Sequence, residues 1–433
     1  MEVSNIIFSC ILIISIGFFT FNMYKIIRNI RLGKAKNRFD NPLKRVKILL
    51  KIAFGQTKLF VRPVSGILHA LVYWGFLVIT IGTLEMMIDG VFNLERSFSC
   101  LGKFYNIITS SGDIMAVIVL VSCLIFIFRR IILKIKRFSG REIKKSSSVD
   151  AALALFIIIF LMISLISMNV AYIGKNSIDF VGFYPFSNSL INLISTWKIN
   201  NILLLHDISW WTHIMLVLIF LNELPYSKHF HVVMSIPNVY FSNIENLGKI
   251  DNMPIVTKEI KSLMNPDLNV SSENTVSSLS QSFGAKDVTD LNWVQLMNSY
   301  SCTECGRCTD ECPANQTGKL LSPRKIMMDT RRRLKEVGKN IDKHGKDYND
   351  DKTLLNNYIT PEEIWACTSC NACTQACPLN IDPLSIIIDL RRYLVMEKSS
   401  APSELNTVFS NIENNGAPWQ FPASDRLNWK EDD

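Results

Sequence analysis

Apolar residues in this chain gather into five long runs before position 233, and beyond it they thin into short groups at helical spacing. Ile6–Met23 holds eighteen residues without a charge. Val64–Leu84 is equally apolar and is followed by Glu85; Ile107–Phe128 contains one acid, Asp113; Ala151–Ile173 has 23 uncharged residues; Ile202–Leu221 encloses only Asp207. A hydrocarbon layer roughly 30 Å thick is crossed by about 20 helical residues, so each run predicts a spanning helix. With their flanks the spans are expected at 6–23, 64–88, 107–128, 151–173 and 202–233. The basic cluster of the first run follows it instead of preceding it, and no A-x-A site closes it. A retained anchor is therefore expected, not a cleaved signal.

Beyond position 237 the pattern changes. Residues 238–300 are polar, with Ser and Asn concentrated in Asn269–Ser282, and predict a linker with little regular structure. Helical spacing then returns. Ser322-Pro323 and Asp382-Pro383 each place a capping side chain before a proline at the first helical position. Thr360-Pro361-Glu362-Glu363 opens a further helix in the same way. The expected fold is all-α: a five-helix transmembrane bundle over 1–237, a linker over 238–300, a helical domain over 301–400 and a tail over 401–433. Trp419 and Trp429 on the polar tail predict a strap that either docks a partner or packs back on the chain's own domain. The paired arginines at 331–333 and 391–392 read most simply as a solvated helix face, with docking or cluster tuning as the alternative.

Composition supports the membrane reading. Of 433 residues 48% are hydrophobic and 19% charged, too apolar for a soluble protein and far from disordered. Residues 1–237 carry 25 Lys and Arg against 11 Asp and Glu; residues 238–433 carry 21 against 27. Positive charge thus accompanies the apolar half, which argues against a nucleic-acid binder. Twelve basic residues lie between spans one and two and eight between spans three and four, against two in each alternate loop. Basic loops stay cytoplasmic, so the N-terminus is expected outside and everything after span five inside.

Candidate chemistry comes from His and Cys. His69 falls in span two, and His206, His213, His229 and His231 lie in or beside span five. Ionisable groups at depth are costly and mark function by default. A b-type haem held by two imidazoles is the load such a bundle suggests.

Eight of the eleven cysteines form two copies of one run, Cys302-x2-Cys305-x2-Cys308-x3-Cys312-Pro313 and Cys367-x2-Cys370-x2-Cys373-x3-Cys377-Pro378. This is the ligand run of bacterial [4Fe-4S] proteins, in which the fourth cysteine serves the other cluster. The expected sets are Cys302, Cys305, Cys308 and Cys377 on cluster 1, and Cys367, Cys370, Cys373 and Cys312 on cluster 2. Zinc modules use separated two-cysteine knuckles instead, and disulfides do not suit a domain placed in the cytoplasm.

Two resemblances follow from these residues. Leu224-Pro225-Tyr226-Ser227-Lys228-His229-Phe230-His231, with His213 eighteen residues before His231, resembles the last span of the nitrate reductase gamma (cytochrome b) family. That likeness implies a haem held by His69 and His231 near the cytoplasmic face, with His229 as an alternative to His231. It also implies a second histidine ten residues after His69, where this chain has Ile79, so His213 is left without its expected partner. The 54 residues between the cysteine runs, with their helices, are similar to the α-helical ferredoxin module found in succinate dehydrogenase iron–sulfur subunits and in heterodisulfide reductase of the HdrC type.

Together the resemblances imply a membrane electron-transfer subunit of the inner membrane. It would join a quinone pool, haem b, two [4Fe-4S] clusters and a cytoplasmic subunit with Cys-Cys cluster repeats, beside which an electron-transfer flavoprotein is a further candidate. This chain has no Cys-Cys pair, no G-x-G-x-x-G and no Walker loop. The alternatives are a membrane-anchored redox sensor and a self-sufficient disulfide or quinone reductase.

Overall fold

The computed structural model describes residues 3–138, 140, 142–176, 180–265 and 283–430. Among them the chain is helical with two isolated bridges and no strand. Five helices are long and apolar enough to cross a membrane: α1 (Val3–Ile30), α3 (Pro63–Phe92), α4 (Lys103–Ile131), α5 (Lys145–Asn176) and α6 (Ile199–Glu223), with the short surface helix α2 (Pro42–Leu49) between the first two. The central helix α5 packs along α4 and α6, α3 packs along α4, and α1 leans on α3 and α6. Ala116, Val119, Cys123, Leu161, Ile166 and Ala171 form the buried seam between them.

The last span is shorter than its expected extent of 202–233. Proline has no N–H and its ring clashes with the carbonyl four residues back, and α6 ends at Glu223, two residues before Pro225. A turn and a short 3-10 segment, Lys228–Phe230, then lead into α7 (His231–Tyr240), which carries Pro237 within it. His229 and His231 therefore sit past the end of the last span, not within it.

Three further helices build the cysteine-bearing domain: α8 (Trp293–Ser301), α9 (Pro323–His344) and α10 (Pro383–Arg392). Their starts follow the caps. The Ser322 hydroxyl accepts from the Lys325 amide at 3.3 Å and the Asp382 carboxylate from the Ser385 amide at 3.2 Å, each before a proline at the first helical position. Asn292 and Gln295 form a reciprocal cap at the start of α8.

The expected linker, 238–300, is built differently from its composition. Asn269–Ser282 lies outside the described residues, but Pro254–Met264 is a helix and 283–301 is core. Ala285, Val288, Leu291, Leu296 and Tyr300 are buried with Ile326, Leu334, Ile386 and Leu390 from α9 and α10. The polar residues of this stretch act as caps and ion-pair partners, which composition alone does not distinguish from solvated linker. Asp287 takes hydrogen bonds from Arg333 at 2.7–3.1 Å and from the Leu354 amide at 3.0 Å. Asp350 holds the other side of the same guanidinium at 2.6 Å.

That core does not stop at the domain boundary. Ile26 and Ile30 from α1, with Leu224, Phe230 and Met234 from the end of the bundle, belong to it. The extra length of α1 serves as a post for α8 and α9: Asn29 donates to the Tyr300 hydroxyl at 3.0 Å, Lys25 pairs with Asp342 at 3.0 Å, and Arg28 reaches the Gly338 carbonyl at 2.9 Å. A Cβ on Gly338 would lie 2.4 Å from the Asn29 side chain, so only glycine admits this approach. Beyond α1, Lys34 exchanges backbone hydrogen bonds with Leu291 and Trp293 at 2.8 and 3.1 Å.

Removing one carboxylate from the buried Asp287–Arg333–Asp350 group leaves charge unpaired, which typically costs about 3–5 kcal/mol. Asp287→Ala is expected to lower the temperature at which detergent-solubilised protein loses its folded signal, by an amount near the lower end of that range because Asp350 remains. Unchanged thermal stability would show that 283–290 contributes nothing to the domain.

Candidate metal centre

Each cysteine run is shaped by its backbone before any side chain acts. Glu304 and Gly306 in the first run, and Ser369 and Asn371 in the second, take left-handed conformations with φ of 57°, 77°, 59° and 61°. These are equivalent positions, two residues after the first cysteine and one after the second. The sequence repeat is therefore also a conformational repeat that curls each loop inward. A short helix follows in each, Arg307–Asp310 and Ala372–Ala376. Pro313 opens a helical turn, Pro313–Gln316, instead of only ending its loop.

Cys302, Cys305 and Cys308 line one pocket together with Cys377 from the second run, walled by Arg307, Arg324, Met327 and Ile381. Burial pushes the Cys302 thiol up to about 11. Burial, and then the neighbouring Cys305 thiolate, push Cys377 up to about 12. Four sulfurs that penalise one another's ionisation in a buried pocket are a donor set that needs cationic metal to carry its charge. In the second group Cys312 and Cys373 are buried, Cys367 is half-buried and Cys370 is exposed. Burial, with Cys312 and Cys370 among the nearby thiolates, raises the Cys367 thiol. Backbone amides of Ser369 and Ile381 donate to the sulfurs of Cys367 and Cys377 at 3.4 and 3.3 Å. All eight cysteines are free of disulfides.

The arginines expected on a solvated face are mostly not there. Arg333 is held between Asp287 and Asp350, Arg331 donates to the Cys302 carbonyl at 2.9 Å and pairs with Glu304, and Arg391 donates to the carbonyls of Ile364 and Cys367. Arg332 is the exposed member of the 331–333 group, with its side chain 44% exposed. Helical spacing alone cannot separate an arginine facing water from one facing the carbonyls of a ligand loop. Arg307, inside the first run, carries no distinguishing signal in the sequence. It is 6% exposed and donates to the carbonyls of Lys58 and Leu59 at 3.0 and 3.4 Å. Lys58 in turn donates to the Cys377 carbonyl at 3.2 Å.

The candidate histidines fall into three places, with His206 apart on α6, its Nδ1 3.4 Å from the Asp207 carboxylate. His69 on α3 and His231 at the start of α7 approach with ring centroids 6.2 Å apart and planes inclined by 36°. His229 lies 6.1 Å from His231, with Nδ1 2.8 Å from the Ser227 hydroxyl. His213 is alone in the seam of α5 and α6. Its Nδ1 lies 3.0 Å from the Leu161 carbonyl and 3.2 Å from the Ser164 hydroxyl, and its Nε2 is buried without a partner. The tail carries α11 (Ser403–Asn415), on which no residue is buried, and Trp419 and Trp429 are 42% and 67% exposed.

Fold and site together define an iron–sulfur protein: a helical domain with two four-cysteine runs, docked on a bundle of five membrane-type helices. Residues 301–381 match the 4Fe-4S dicluster domain family. The chain is 29% identical, over 93% of its length, to the probable iron-sulfur-binding oxidoreductase FadF of Bacillus subtilis, and covers 57% of that protein. It is 25% identical, over 97% of its length, to the EtfAB:quinone oxidoreductase of Syntrophomonas wolfei, covering 58% of it. Over 24% of the chain it is 31% identical to a component of the ferredoxin/F(420)H(2)-dependent CoB-CoM heterodisulfide reductase of Methanosarcina acetivorans, covering 52% of that polypeptide. The chain thus spans little more than half the length of these relatives. No solved structure matches it.

Cys377→Ser is expected to abolish the paramagnetic signal of the cluster on Cys302, Cys305 and Cys308 while leaving the second signal intact. Loss of only the signal tied to Cys367–Cys373 would contradict the crossed arrangement.

Proposed function

We propose that the chain is the membrane-embedded electron-transfer part of an oxidoreductase, passing electrons between a quinone in the bilayer and an iron–sulfur partner in the cytoplasm. Cys302, Cys305, Cys308 and Cys377 hold one [4Fe-4S] cluster and Cys367, Cys370, Cys373 and Cys312 the other. One b-type haem is held by His69 and His231. The observation that carries the reading is the placement of the first cysteine pocket against the inner end of the spans. There Arg307 and Lys58 tie the loop and Cys377 to the segment entering α3, the helix that bears His69.

The histidine pair suits the role. A haem between two imidazoles would be held by rings that approach one another from facing elements. The ring centroids of His69 and His231 are 6.2 Å apart. The Nδ1 of His231 lies 3.2 Å from the Lys228 carbonyl, which leaves Nε2 free for metal. A haem bound there supplies one-electron chemistry at a potential set by its axial ligands. A second haem lacks an imidazole to face His213, because position 79 is Ile, and a single haem is proposed.

The direction of insertion rests on charge. The two loops rich in Lys and Arg lie on the same side of the bundle as the cysteine domain, with Arg62 pairing to Asp310 at 2.8 Å and Glu142 to Arg324 at 2.6 Å. By the positive-inside tendency this side is cytoplasmic. The exposed Cys370 marks where the second cluster meets its partner. The name of the Syntrophomonas relative points to an electron-transfer flavoprotein and a quinone as the two ends. The name of the heterodisulfide reductase relative, a subunit of such a complex, points to another subunit as the immediate partner, and we propose one with Cys-Cys cluster repeats.

Protein purified whole from membranes is expected to contain about eight irons with matching acid-labile sulfide, and a b-type α band in its reduced-minus-oxidised spectrum. His69→Ala is expected to abolish that band and leave the cluster signals. Zinc in place of iron would overturn the whole reading, and full haem absorbance in the variant would overturn the ligand assignment.

A further inference from the structure

The two cysteine groups differ in the charge around them. Three cations without a carboxylate within 4 Å, among the described residues, stand at the first group: Lys58, Arg137 and Arg307. Lys58 donates to the Cys377 carbonyl at 3.2 Å. Arg307 sits between Cys305 and Cys308 and forms part of the pocket wall. Arg137 packs over the left-handed Gly306 of the same loop, where a Cβ would come within 3.0 Å of the Arg137 carbonyl and 3.4 Å of its Cβ. The remaining cations nearby are neutralised: Arg324 by Glu142, Arg331 by Glu304, and Arg62 by Asp310 and Glu311.

The second group has a smaller surplus. Arg391 donates to the Ile364 carbonyl at 3.1 Å and to the Ser369 hydroxyl at 3.3 Å, and stacks over Trp365 at 5.0 Å. Among the described residues Arg391 also has no carboxylate within 4 Å, so one unpaired cation stands at the second group, against three at the first.

Reduction adds one negative charge to a cluster already made anionic by four thiolates, so nearby cations favour the reduced form and their absence disfavours it. Burial acts in the other sense and more strongly on the first group, since Cys370 of the second is exposed, so the cations of the first group have to outweigh it.

We propose that Lys58, Arg137 and Arg307 set the reduction potential of the cluster held by Cys302, Cys305, Cys308 and Cys377 above that of the cluster held by the second run. The inference rests on the two-cluster reading and adds an order to it. The solvent-facing group is the donor side and the membrane-facing group the acceptor side for a single electron, with no bond made or broken and no proton moved. The three residues are positioning residues: each acts on the potential through its charge and none binds iron.

The test is a redox titration of the purified holoprotein followed by paramagnetic resonance, with the two signals assigned through Cys370→Ser, which removes only the second-run cluster. The first-run cluster is expected to be half-reduced at the higher potential. Arg307→Gln and Lys58→Gln are each expected to weaken its reduction equilibrium at least tenfold, which is about 59 mV for one electron, with the second cluster unmoved and Arg307→Lys close to wild type. Should Arg307→Gln lose the first signal altogether, Lys58→Gln carries the comparison, since its side chain bonds a single carbonyl. Equal or inverted potentials in the wild type would overturn the proposal. So would a first-run potential that Lys58→Gln leaves in place. Absence of iron and sulfide would instead sink the two-cluster reading, and is seen before any titration begins.

Discussion

Just before the second span, the carbonyls of Lys58 and Leu59 accept hydrogen bonds from a guanidinium that belongs to the first cysteine run. Arg307 is almost fully buried there, and a buried cation without acceptors for its donors would be costly enough to expel. The contact therefore fixes the loop to the spans and is not merely permitted by their proximity. Around it the apolar core of the cysteine domain runs without interruption into Ile26, Ile30, Leu224, Phe230 and Met234 of the bundle. Bundle and domain are halves of one packed body, and the locations of the candidate cysteines and histidines follow from that.

The consequence is a ranked set of environments. The His69–His231 pair lies where the spans end, the first cysteine group is pressed against the same end, and the second group reaches the surface at Cys370. Unpaired cations are also unevenly shared, with Lys58, Arg137 and Arg307 at the first group and Arg391 at the second. The proposed relay would need centres close together and potentials in sequence, and the docked arrangement bears on both. No residue of α11 is buried, and Trp419 and Trp429 beyond it are exposed.

Much of this was legible from the sequence because the strongest signals are local. Five apolar runs become five helices, and the Ser322, Asp382 and Thr360 caps each start the helix they announce. The cysteine spacing likewise brings its sulfurs together. What was not legible is long-range. Asp287 reads as a linker acid until Arg333, 46 positions away, is seen to hold it. Arg331 and Arg391 have the spacing of a solvated face, and only the fold turns them toward ligand-loop carbonyls. The end of the last span was overrun because Val232 and Val233 continue the apolar pattern, while the break at Pro225 is a matter of backbone geometry.

The measurement that bears most directly on the docked arrangement is zero-length carbodiimide cross-linking of the protein in native membranes, read by mass spectrometry. Amine and carboxylate are joined only where they already touch, and Lys25 with Asp342 at 3.0 Å and Lys228 with Glu304 at 4.0 Å connect bundle to domain. Peptides linking both pairs are the predicted result. Cross-links confined to pairs within the bundle and within the cysteine domain, with none between them, would contradict it.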